Sequence, residues 1–172
     1  MDAATKAVIN PIALRREEGE AVWFLGALAI IKASGEATGG RTAIIEILAP
    51  EGSGSPLHVH NREDEWFYVL EGELSLWVGG RLIKTSPGSF VYGPRGIPHT
   101  FMVTSPRARY LLVAQPAGFE NFMRALSRPA KTLTIPPAAT EPPGPEHLSK
   151  IAAAYGIEIL GPPGIPDDVA TP

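Results

Sequence analysis

Four side chains stand out by type and spacing: His58, His60, Glu65 and His99. In an extended chain, residues i and i+2 point to the same face, about 6.7 Å apart. His58 and His60 can therefore aim two imidazoles at one point. The four residues between His60 and Glu65 allow a tight turn, so the carboxylate can return on the next strand. His99 follows the turn Pro94-Arg95-Gly96-Ile97-Pro98 and opens another strand-like run. Three neutral imidazoles and one carboxylate suit one borderline divalent transition metal: Fe, Ni, Mn, Co, Cu or Zn. An octahedral ion held by four protein ligands keeps two open positions, which suits it to catalysis.

Asp64 is the alternative carboxylate. Alternation puts Glu65, Phe67 and Val69 on one face and Asp64, Trp66 and Tyr68 on the other. The first face is the more apolar and favours Glu65 as the inward acid, which leaves Asp64 solvated with Arg62 and Glu63. Phe67, Phe101 and Val103 share parity with the ligand candidates. They either line a pocket for a planar apolar substrate or form ordinary core. Arg95 reads as a solvated turn charge and His147 as an exposed helix residue.

These side chains need strands to hold them. Short β-rich runs occur at 41–49, 57–60, 65–70, 73–79, 81–85, 89–92, 99–104 and 108–114. Glu71-Gly72, Gly79-Gly80, Pro87-Gly88 and Gly93-Pro94-Arg95-Gly96 separate most of them, and each is a turn signal. The run 21–33 is apolar and β-forming, with Gly26 as an interruption. This pattern predicts an all-β sandwich or barrel over 21–115, after a polar lead-in at 1–20. Residues 116–172 differ. Phe119, Phe122, Met123 and Leu126 mark an amphipathic helix at 118–127, and a second helix is predicted from Pro145 to Tyr155. Ten of the 18 prolines fall in 129–172, so the rest reads as an extended, proline-rich strap over the barrel.

Composition narrows the function classes. The 172 residues suffice for one domain, and 44% hydrophobic against 19% charged residues excludes wholesale disorder. A net charge of −3 gives no basic excess for a nucleic-acid partner. The absence of cysteine excludes disulfides, thiolate nucleophiles and iron–sulfur clusters. The longest apolar run, Ala21 to Ile31, has 11 residues. A helical membrane span needs roughly 20. The charged lead-in does not resemble a secretory signal, so a cytoplasmic protein with no membrane partner is expected. The apolar edge Val22 to Ile31 is expected to pair with a second copy as a homodimer.

The sequence resembles the cupin superfamily. Its first motif, G(X)5HXH(X)3,4E(X)6G, is matched by Gly52, His58, His60, Glu65 and Gly72. Its second, G(X)5PXG(X)2H(X)3N, is matched by Gly88, Pro94, Gly96 and His99, with Val103 in place of the final asparagine. The resemblance implies a single small β-barrel (a double-stranded β-helix or jelly roll) with a metal inside. A closer likeness is to single-domain bacterial cupins similar to quercetin 2,3-dioxygenase. It rests on Trp23-Phe24-Leu25-Gly26, Thr38-Gly39-Gly40, Pro56 to His60, Glu65 to Val69 and Gly156 to Pro163. That likeness implies a dioxygenase with dioxygen as co-substrate, cleaving the ring of a flavonol-like or aromatic enol. It also implies that Glu65 acts as general base as well as ligand. Two other classes stay open: a cavity that binds a small ligand without turnover, and another metal cupin enzyme such as an isomerase, decarboxylase or polyketide-tailoring cyclase.

Overall fold

The computed structural model describes residues 9–137 and 143–166. Twelve strands and three short helices appear among them. The strands are β1 (Glu20–Phe24), β2 (Ala27–Ala33), β3 (Ala43–Pro50), β4 (Pro56–His60), β5 (Asp64–Glu71) and β6 (Leu74–Val78). They continue as β7 (Arg81–Thr85), β8 (Phe90–Gly93), β9 (His99–Val103), β10 (Arg107–Gln115), β11 (Ser127–Pro129) and β12 (Ile157–Pro163). The helices are α1 (Gly35–Thr38), α2 (Phe119–Ala125) and α3 (Pro145–Ala154).

Two antiparallel sheets face each other. One has the order β11-β1-β2-β3-β10-β5-β8 and the other β12-β4-β9-β6-β7. The fold is the expected all-β jelly roll, but the hydrogen-bond ladders do not close into a continuous barrel. Period-two alternation decides which side chains face inward. Ala43, Ile45, Ile47 and Ala49 of β3 are buried, as are Ala108, Tyr110, Leu112 and Ala114 of β10. With Phe67, Val69, Leu74 and Leu76 they form the core between the sheets.

The apolar run at 21–33 divides at Gly26, which has φ 87°, into the hairpin β1–β2. The edge expected to recruit a second copy is occupied within the chain. Ser127, Arg128 and Pro129 of β11 pair with Phe24, Trp23 and Val22. The basis for a homodimer through that edge is therefore removed. The turn at 34–40 contains α1, capped by Ser34 Oγ, which accepts from the Ala37 N–H at 3.4 Å.

Among the described residues, the proline-rich strap is more ordered than its composition suggests. β12 pairs with β4, setting Ile157 opposite His60 and Ile159 opposite His58. Between them, α2 and α3 bury Phe119, Phe122, Met123 and Ala152 against the core. Gly156, with φ 79°, turns the chain from α3 into β12. Among the described residues, no helix is long and apolar enough to cross a membrane.

Candidate metal centre

Sheet geometry brings the four ligand candidates together. His58 and His60 lie on β4, and His99 opens β9 directly opposite His58. Glu65 comes from β5 in the facing sheet. One ligand-type atom from each falls within 4.8 Å of the others, and His60, Glu65 and His99 are almost completely buried. Gly72 keeps the turn after β5 tight. Its φ is 75°, and a Cβ there would strike the Arg107 carbonyl oxygen.

The hydrogen bonds of the histidines fix their tautomers. His58 Nδ1 lies 2.8 Å from the Pro56 carbonyl oxygen, and His99 Nδ1 lies 3.0 Å from that of Ile97. A carbonyl only accepts, so each Nδ1 carries the proton and each Nε2 presents a lone pair. His60 Nδ1 faces Glu63 Oε2 at 3.4 Å, which gives it the same polarity.

The exposed lone pairs converge. His58 Nε2 and His60 Nε2 are 3.2 Å apart, His60 Nε2 and Glu65 Oε1 3.5 Å, and His99 Nε2 and Glu65 Oε2 3.2 Å. Neighbouring ligands about 2.1 Å from an octahedral ion lie about 3.0 Å apart. Glu65 Oε1 is buried without a hydrogen-bond partner among the described residues. A buried orphan carboxylate oxygen beside facing imidazole lone pairs is costly unless a cation sits between them. The donor set therefore fits a divalent transition metal.

Burial pulls the His58 pKa down to about 3, helped by His99 and His60, so its ring is neutral. Burial also opposes charge on His60, but the Glu65 and Glu63 carboxylates outweigh it and raise its pKa. Burial pushes the Glu65 carboxyl up, and the surrounding imidazoles outweigh this, holding it down at about 2. Glu65 is thus an ionised oxygen donor at neutral pH.

Asp64 points the other way. Its carboxylate binds Arg95 Nη2 at 2.7 Å and accepts from the Arg95 backbone N–H at 2.9 Å on the outer surface. The hydrogen bonds from Arg95 hold its pKa down at about 2. Arg95 thereby belongs to this surface pair and does not face the cavity. Glu63 departs from expectation: it is 4% exposed rather than solvated, and it backs His60. The signal was the His60-x-x-Glu63 spacing, which a tight turn folds into contact.

A cavity of about 100 Å³ adjoins the centre. Glu65, His58, Phe101 and Tyr110 line it from the sheets, and Phe119, Met123, Leu148, Ile157 and Ile159 line it from the strap. Of the three proposed pocket residues, only Phe101 reaches it. Phe67 is 2% exposed and packs on Phe101 with ring centroids 5.8 Å apart. Val103 is buried, and its backbone anchors the 52–53 turn. His147 is exposed on α3.

The family model described as Cupin domain matches residues 44–114, from β3 to β10. Over 150 residues, 87% of this chain, the sequence is 29% identical to quercetin 2,3-dioxygenase of Bacillus subtilis. The chain spans less than half the length of the curated relatives it matches, 44% of that enzyme and 24% of an Aspergillus japonicus quercetin 2,3-dioxygenase. Among solved structures, a predicted oxalate decarboxylase from Thermotoga maritima superposes with a TM-score of 0.56 at 21% identity. That match covers 61% of this chain and 99% of the other. An RmlC-like cupin from Shewanella frigidimarina gives 0.54 at 18% identity, covering 63% and 93%. At such identities these structures speak to the fold alone. With the fold and the matched segment in agreement, residues 44–114 resemble a cupin domain, and the chain is similar to quercetin 2,3-dioxygenase.

Proposed function

We propose that this chain is a metal-dependent dioxygenase that opens the ring of a flavonol-like or aromatic enol, with dioxygen as co-substrate. The observation that carries the reading is Glu65, an ionised, buried carboxylate with Oε1 unpaired at the head of an apolar cavity. His58, His60, Glu65 and His99 would hold one divalent transition metal. Such an ion, when bound, supplies Lewis acidity toward an enol oxygen and, if redox-active, a path for electrons to dioxygen.

The chain's own groups do the rest. Glu65 is placed to accept the enol proton, because it lines the cavity with Oε1 unpaired. The three imidazoles face that carboxylate from the opposite sheet. Phe101, Phe119, Met123, Leu148 and Ile157 offer flat apolar contact to a ring and exclude water.

Oxygen uptake with quercetin tests the reading. Purified protein reconstituted separately with Fe, Mn, Co, Ni and Cu is expected to consume oxygen with at least one of them. Glu65→Gln is expected to lower that rate by about 10²-fold or more. Turnover that proceeds equally under nitrogen would assign the chain to another metal cupin chemistry. Binding without oxygen consumption or product would make it a ligand-binding cupin.

A further inference from the structure

Tyr110 sits in the middle of β10, in register with the inward residues Ala108, Leu112 and Ala114. It is 1% exposed, and its ring is held between Phe67 and Phe101, with centroids 6.1 and 5.8 Å away. Packing of this kind needs only a phenyl ring. The hydroxyl therefore calls for its own explanation.

A buried tyrosine O–H ordinarily finds an acceptor, because an unmade bond in an apolar interior is costly. Among the described residues, no group takes a hydrogen bond from Tyr110 Oη, although Tyr110 lines the cavity that holds Glu65. Burial, followed by the Glu65 charge, raises its pKa above the ordinary phenol value, so the group keeps its proton. The lining of the cavity, mostly apolar, thus carries the Tyr110 hydroxyl as a donor and the Glu65 carboxylate as an acceptor.

We propose that Tyr110 is a substrate-positioning residue whose Oη–H donates a hydrogen bond to an oxygen of the bound ligand at the Glu65 end of the cavity. The assignment rests on the enol reading above and adds a second polar contact to it. Glu65 accepts from the hydroxyl of the substrate and Tyr110 donates to an oxygen acceptor on the same edge. A ligand gripped at both points has its oxygen-bearing edge turned toward the histidines and its rings toward the strap. This arrangement selects an oxygenated aromatic over a bare one.

The test compares two probes on zinc-loaded protein, which binds without redox turnover. The dissociation constants of quercetin and naphthalene are measured for native protein and Tyr110→Phe. The variant keeps the ring contacts, so its thermal midpoint and zinc content are expected to match the native values. Quercetin is expected to bind about tenfold more weakly to the variant, and naphthalene within about twofold of native, since only quercetin loses a hydrogen bond. Equal loss for both probes would show a packing role and overturn the assignment. Native quercetin affinity that is unchanged in Tyr110→Phe would overturn the assignment and leave the enol reading standing. Native protein that fails to bind quercetin would overturn the flavonol reading first, and this assignment with it.

Discussion

At the scale of single residues, each candidate histidine presents Nε2 because another group occupies its Nδ1. Backbone carbonyls two residues upstream do this for His58 and His99, and the Glu63 side chain does it for His60. Glu63 is thus the one orienting partner that a point mutation can remove. Glu63→Gln can still accept from Nδ1 through its amide oxygen, but the negative charge behind His60 is gone. Metal affinity is expected to fall about 10- to 100-fold, read by competition with a chromophoric chelator. Unchanged affinity would make Glu63 a bystander. The convergence of His58, His60, Glu65 and His99 was legible in the sequence, because strand alternation and turn length are local rules. Glu63 and the Tyr110 hydroxyl were not. The first was grouped with its charged neighbours Arg62 and Asp64, and the burial of the second depends on what β10 faces across the cavity.

At the scale of elements, the sequence expectation located most strands within a residue or two, since alternating apolar residues and glycine turns mark them. It missed β11 and β12. Ser127–Pro129 is too short to show alternation, and Ile157–Pro163 ends in glycine and prolines that argue against a strand. Both form because existing edges receive them, β1 in one sheet and β4 in the other. Helix α2 accordingly stops at Ala125, short of the expected 127, where the chain is drawn into β11. β12 matters for the site, since it braces the strand that carries two of the candidate ligands. Ile157 is 4% exposed, pairs with His60 and lines the cavity. Ile157→Ala is expected to cost about 2–4 kcal/mol in urea unfolding, the range for a buried large-to-small change. A cost below about 0.5 kcal/mol would mean that β12 is not docked on β4, because surface substitutions stay in that range.

For the whole molecule, the division of candidate ligands between sheets is the telling feature. The sheet β12-β4-β9-β6-β7 provides three imidazoles, and the facing sheet provides Glu65 through β5. Neither sheet holds the full set alone, so the jelly-roll sandwich assembles the centre. An ion there would tie the two layers together and stabilise the folded chain by mass action. Elemental analysis tests this most directly. The chain is purified without added chelator, dialysed, and assayed for transition metals beside His60→Ala prepared in the same way. The account predicts about one transition-metal ion per native chain and a clear deficit in the variant. A native chain that stays metal-free after exposure to Fe, Mn, Co, Ni, Cu and Zn in turn, or a variant that retains as much metal as the native protein, would contradict it.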